Sequence, residues 1–215
     1  MRAAPTVLAG VIAIIAASAL AGGPTPAAAG SCRASMPTVD VETPEVSVSS
    51  QDVRSVIDYT VFPWQTQNQL APGWSINGLT VAKPVSTYRI ESLTGSGCFS
   101  VTRVQVIFTY EDPVKVYVAD KYAPGTCEHQ VITAHEMQHV DIFRRGRQIY
   151  AERMRQVVWN AAVQSTGKSE AETNAALTDA VETVTREFNK ALGTAHGAID
   201  TVENYRVTQA LCRNW

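Results

Sequence analysis

Charge of one sign, cysteine pairs and long apolar runs are all scarce in this chain, and each shortage argues against a class of function. Lys and Arg number 18 against 20 Asp and Glu, a formal net charge of −2, so nothing in the composition calls for nucleic acid or an anionic membrane surface as partner. The four cysteines, Cys32, Cys98, Cys127 and Cys212, contain no C-x-x-C pair, which speaks against a cysteine zinc knuckle. The apolar run "VLAGVIAIIAASAL" at residues 7–20 is shorter than the roughly 20 residues a spanning helix needs, and no stop-transfer pattern follows it. Histidine also occurs only four times, yet two of the four stand in the single stretch "TAHEMQHVD" at residues 133–141.

What is present is the composition of a globular protein, 45% hydrophobic and 18% charged over 215 residues. That length suits one domain with a core of its own and is too short for two large ones. Arg2, the apolar run and the small residues of "PAAAG" together read as a signal peptide over residues 1–29, cut after Ala29. The expected location is therefore secreted or periplasmic, with no stable membrane insertion after cleavage. A lipoprotein reading of Cys32 meets Ala29 where a leucine usually stands. In an oxidising compartment four cysteines imply two disulfides, and three pairings are open.

The expected fold class is α+β, an N-terminal antiparallel β meander packed against a C-terminal antiparallel pair of long helices. Residues 30–52 read as a linker with room for one edge strand, and residues 53–215 as one domain, β-rich over 53–120 and helical over 127–212. In "CFSVTRVQVIFTY", alternation sets Val104, Val106, Phe108 and Tyr110 on one face, the candidate core face. "STYRIESL" precedes it across the turn "TGSG", and "VKVYVA" follows it after "EDP", giving the meander at least three strands. From Cys127 the period becomes helical: Ile132, His135, Glu136, His139, Phe143, Tyr150, Met154 and Val157 fall in one stripe, with "RRGR" largely off it and Gly146 a weak point. Ser169 and Glu172 form a capping box for a second helix striped with Leu177, Val181, Val184, Phe188, Leu192, Ile199 and Val202. A short turn between two such helices makes an antiparallel hairpin.

His135 and His139, four residues apart, point two imidazoles the same way, and Glu136 follows the first. This is H-E-x-x-H: two ligands for one ion and a general base on one helical face. A catalytic zinc site needs a third protein ligand and keeps its fourth position for water. If the hairpin turn centres near Gly167, the level of Met137 on the first helix meets Gly197 on the second. His196 beside it is the first candidate for the third ligand, ahead of Glu203 and Asp200, while a continuous helix points Asp200 away from the stripe. His129 and Asp141 face elsewhere, and Tyr205 is a packing tyrosine or an oxyanion donor.

"AHEMQHVDI" after a β-rich half containing "CFSVTRVQVIFTY", with a later "HGAIDTVENYRVTQALC", resembles the secreted bacterial zinc-dependent proteases grouped as domain of unknown function 922, over roughly residues 55–212. The resemblance implies a zincin-like metallopeptidase with His135 and His139 as ligands and Glu136 as base. The chain has no metzincin H-x-x-G-x-x-H extension after His139, nor the N-E-x-x-x-D of gluzincins, and its "GTAH" places His196 where aspzincins carry Asp. The expected function is Zn2+-dependent hydrolysis of peptide bonds in a peptide or protein substrate. The rivals are a metal-binding module of the cell envelope without turnover, and a zinc hydrolase of peptidoglycan cross-links.

Overall fold

The computed structural model of the chain describes residues 36–59, 75–95, 98–213 and 215. The signal-peptide reading and Cys32 lie outside these residues, as does the tip of the "TGSG" turn. Six strands, β1 (Thr38–Glu42), β2 (Val48–Val53), β3 (Gly78–Val81), β4 (Pro84–Gly95), β5 (Cys98–Tyr110) and β6 (Val114–Ala119), precede three helices, α1 (Cys127–Gln164), α2 (Glu170–Ile199) and α3 (Val202–Gln209). The architecture is α+β, and among the described residues no helix is long and apolar enough to cross a membrane.

The strands do not form one antiparallel meander. They divide into two three-stranded mixed sheets, ordered β1-β5-β4 and β2-β6-β3. β4 and β5 are the expected hairpin, antiparallel from Pro84 opposite Tyr110 to Gly95 opposite Cys98. β6, however, leaves that sheet and lies between β2, parallel to it, and β3, antiparallel to it. The cause is the segment read as a linker. It supplies β1, parallel to β5, and then β2, parallel to β6, so it accompanies the chain from one sheet into the other. At the crossing the Ser47 N–H and hydroxyl both donate to Asp112 Oδ1 at 2.7 Å, and the Val114 N–H donates to Ser47 O at 2.9 Å. "TVDVE" and "VSSQDV" are too short and too polar to announce themselves, and their strand state comes from partners more than sixty residues away.

The alternation in β5 holds: Val104, Val106, Phe108 and Tyr110 are buried. At roughly 1.5–3 kcal/mol for each fully buried large apolar side chain, this face is a principal source of stability. Phe108 meets Phe188 edge-on at 4.9 Å, and Tyr110 meets Phe143 at 5.1 Å while its hydroxyl donates to Phe143 O. Burial pushes the Tyr110 phenol well above its ordinary range, which keeps it a donor.

α1 begins at Cys127 behind the Thr126 N-cap and ends at Gln164, and the Ser169 and Glu172 capping box opens α2. Gly167, at φ +81°, takes the left-handed turn between them that favours glycine. Gly146 is a packing point instead of a weak one: a Cβ there would lie 3.0 Å from Phe188 and 3.2 Å from Leu192, so its bareness lets the two helices close on each other. Arg147, placed off the stripe by sequence, is 1% exposed. Its guanidinium donates to Pro44 O and to Glu45, tying the β1–β2 connection to α1.

Candidate metal centre

α1 brings His135, Glu136 and His139 to one buried face, where one ligand atom from each lies within 4.8 Å of the others. Ridges one turn apart on a helix give this convergence for any H-E-x-x-H sequence. The other walls come from elements far away in the chain. From β3, the Thr80 hydroxyl reaches Glu136 Oε2 at 2.8 Å and Glu136 O at 3.0 Å. Gly78, on the same strand, has no room for a side chain, since a Cβ would stand 2.5 Å from Glu136 Oε1 and 2.7 Å from Ile132. β3 therefore clamps the glutamate from one side.

The hairpin register holds, and His196 arrives at the level of the pair. Its Nδ1 lies 2.8 Å from His139 Nδ1, and its ring packs against Phe143 at 4.4 Å. It thus meets the ring edge of His139 opposite to the nitrogen that faces the cluster. That nitrogen, His139 Nε2, lies 3.2 Å from Asp200 Oδ1, and His135 Nε2 lies 3.1 Å from the same oxygen. Asp200 reaches this position because α2 is not continuous. It ends at Ile199, and Asp200 as C-cap adopts φ −89° and ψ 49°, outside helical geometry, before Thr201 caps α3. The break turns a carboxylate that a straight helix would aim outward onto the two imidazoles. Glu203 lies one residue into α3, exposed and 4.0 Å from Arg206, away from the cluster. His129 is engaged by Asp52 at 2.9 Å, and Asp141 by Arg144 at 3.6 Å.

The charges follow from burial and these bonds. Burial pushes the Glu136 carboxyl upward, and the two histidines and the Thr80 hydroxyl only partly offset this, so it stays raised. Burial acts the same way on Asp200, but bonds from His135, His139 and Tyr205 outweigh it and hold this carboxyl far below the usual range. Burial lowers His139, yet the Asp200 hydrogen bond and charge more than reverse that and leave it raised. His196, by contrast, is pushed down to about 4 by burial and by the charge of His139. It is neutral at physiological pH. Its Nε2 is buried without a partner among the described residues.

Tyr205, on α3, donates its hydroxyl to Asp200 Oδ1 at 2.7 Å, and its ring lies 5.2 Å from that of His135. A disulfide from Cys127, the first residue of α1, to Cys212 fixes the chain just beyond α3. Thr80 and Gly78 had no sequence signal: neither stands at a meaningful spacing from Glu136. A buried cluster of two imidazoles and neighbouring carboxylates, one of them strongly ionised, can hold a metal ion. No family model matches the chain, and neither does a curated protein or a solved structure, so the reading of this centre rests on its own geometry.

Proposed function

We propose that the chain is an exported, zinc-dependent metallopeptidase in which His135, His139 and Asp200 are the metal ligands and Glu136 is the general base. The observation that carries the reading is the meeting of His135 Nε2 and His139 Nε2 on Asp200 Oδ1 at 3.1 and 3.2 Å, beside a buried glutamate. Donors about 2.0–2.1 Å from a tetrahedral zinc stand about 3.3 Å from one another, close to that spacing. The donor set, two neutral-capable imidazoles and one carboxylate, suits Zn2+ and leaves a fourth position to water or substrate.

When bound there, zinc would polarise the scissile carbonyl and lower the pKa of a water molecule. The chain supplies the rest. Thr80 holds Glu136 Oε2, which leaves Oε1, over the bare Gly78, to take a proton from water and deliver it to the leaving amine. The raised Glu136 carboxyl is a better proton acceptor than an exposed glutamate, which favours removal of the proton from water. His196, through His139 Nδ1, fixes the ring so that Nε2 is the nitrogen offered to the ion. β3 ends its sheet beside Glu136, and an edge strand can align an extended peptide by main-chain hydrogen bonds. Export is supported by the N-terminal apolar run and by the disulfide, which persists in oxidising compartments.

The test is metal analysis followed by digestion of a peptide library and of peptidoglycan with wild type and Glu136→Gln. The expected result is one zinc per chain in both proteins, with peptide cleavage reduced at least about 100-fold in the variant. Metal in both and cleavage by neither would reduce the protein to a binding module; cleavage of peptidoglycan alone would move it to the cross-link hydrolases.

A further inference from the structure

Beside the cluster lies a cavity of about 90 Å3 whose walls belong neither to the metal ligands nor to the hairpin alone. The wall farthest along the chain is formed by Tyr205, Thr208 and Gln209 of α3 and by Trp215, and Ile76, Ile132, Glu136 and His135 also line the cavity. Most of its exposed surface is apolar, although Ser75, Asn77, Thr208 and Gln209 also line it, and no Lys or Arg does. Room of this order accepts one amino-acid side chain.

Two ties set the far wall. The Cys127 to Cys212 bridge joins it to the first residue of α1, and Trp215 packs edge-on against Tyr122 at 5.6 Å. The wall is therefore held against the rest of the domain, as a pocket that discriminates between side chains requires.

We propose that this cavity is the specificity pocket of the enzyme: it takes a branched or unbranched aliphatic side chain from a residue flanking the scissile bond, and the C-terminal segment, through Gln209 and Trp215, decides which side chains enter. The inference rests on the peptidase reading of the neighbouring cluster. Its chemistry is simple. An aliphatic group gains by leaving water for Ile76, Ile132 and Trp215, whereas an acidic one would be desolvated next to the buried carboxylate of Glu136 with no Lys or Arg on the lining to pair it.

The experiment digests a degenerate peptide pool with the full-length zinc-loaded protein and identifies the new termini by mass spectrometry. Leu, Ile, Met and Val should be enriched at one flanking position at least about tenfold over Asp and Glu. Gln209→Arg, a change at a half-buried residue outside the ligand set, should bring acidic residues into that position and reverse the ratio. Trp215→Ala should relax it. Such a reversal cannot come from misfolding. Cleavage without preference, or a preference that both variants leave unchanged, would overturn the proposal.

If the wild type cleaves nothing, the peptidase reading fails and binding decides the pocket separately. Two acetylated, amidated tetrapeptides differing only in Leu against Asp are then titrated into the zinc-loaded protein while the Trp215 indole signal is followed by NMR. A shift with the Leu peptide alone keeps the pocket, and no shift with either removes it.

Discussion

At the scale of the residue, the centre divides between groups that neighbouring positions on one helix bring together and groups delivered by distant segments. His135, Glu136 and His139 were legible because an i, i+4 pair depends only on the pitch of α1. Asp200 stands among the sequence candidates facing away from the stripe, because its direction depends on a helix break at Thr201 that the apolar stripe, running on to Val202, conceals. His196 arrives at the expected level, on the Nδ1 side of His139, and the proposed ligand set gives it a positioning role where the sequence reading makes it a ligand. The two assignments predict opposite outcomes. Asp200→Ala should abolish stoichiometric zinc, whereas His196→Ala should keep it with affinity lower by roughly 10–100-fold, the usual effect of losing a partner behind a ligating histidine. Isothermal titration of both variants decides, and loss of zinc in His196→Ala with retention in Asp200→Ala would restore the histidine as ligand. Gly78→Ala probes the other side. Its Cβ would press on Glu136 Oε1 and Ile132, costing about 1–3 kcal/mol of stability by overpacking. Displacing the carboxylate by about 1 Å should lower peptidase turnover on the order of 100-fold with zinc retained, which denaturant melts, metal analysis and kinetics read separately.

At the scale of the element, the starts of the two long helices are legible to the residue, whereas the break after Ile199 and the pairing of the strands are not. A helix carries its signals within itself: a cap at Thr126, a capping box at Ser169, a stripe at a fixed period and a glycine at the turn. The pairing of β1 with β5 and of β2 with β6 has no such local record, since parallel strands meet through connections that the strands themselves do not specify. The capping box makes a prediction with a definite pH dependence. The Ser169 hydroxyl and N–H donate to Glu172 and hold its carboxyl below the ordinary value. A depressed folded pKa contributes stability that is complete above the unfolded value, roughly 4.3, and is lost as pH falls through the lower folded value. Ser169→Ala should therefore lower the denaturant midpoint near neutral pH, through loss of the cap and of the hydroxyl bond to Glu172. The gap between variant and wild type should narrow in acid, as chemical melts at pH 7 and pH 3 would show. A gap that widened in acid would place the stabilisation elsewhere.

At the scale of the whole molecule, α3 and the residues that follow it lie against the candidate site. The described residues from Met36 on belong to one compact unit, and within it Cys127 and Cys212, 85 residues apart, are joined. The even cysteine count anticipated bridges but left the partners open, because pairing depends on where the hairpin returns the chain. A loop of this length is worth up to roughly 4.6 kcal/mol through the entropy it removes from the unfolded chain. Replacing both cysteines by serine should shift the denaturant midpoint accordingly. The same bridge holds the segment that bears Tyr205, whose hydroxyl donates to Asp200, so its loss should also weaken zinc binding, by about tenfold if Asp200 gains freedom when its donor drifts. Measured on one sample, the two effects separate stability from site geometry. A lowered midpoint with unchanged zinc affinity would mean that the bridge secures the domain while Asp200 is held by its helix cap alone. A matched fall in both would mean that the disulfide, far along the chain from the H-E-x-x-H motif, helps to set the third corner of the metal centre.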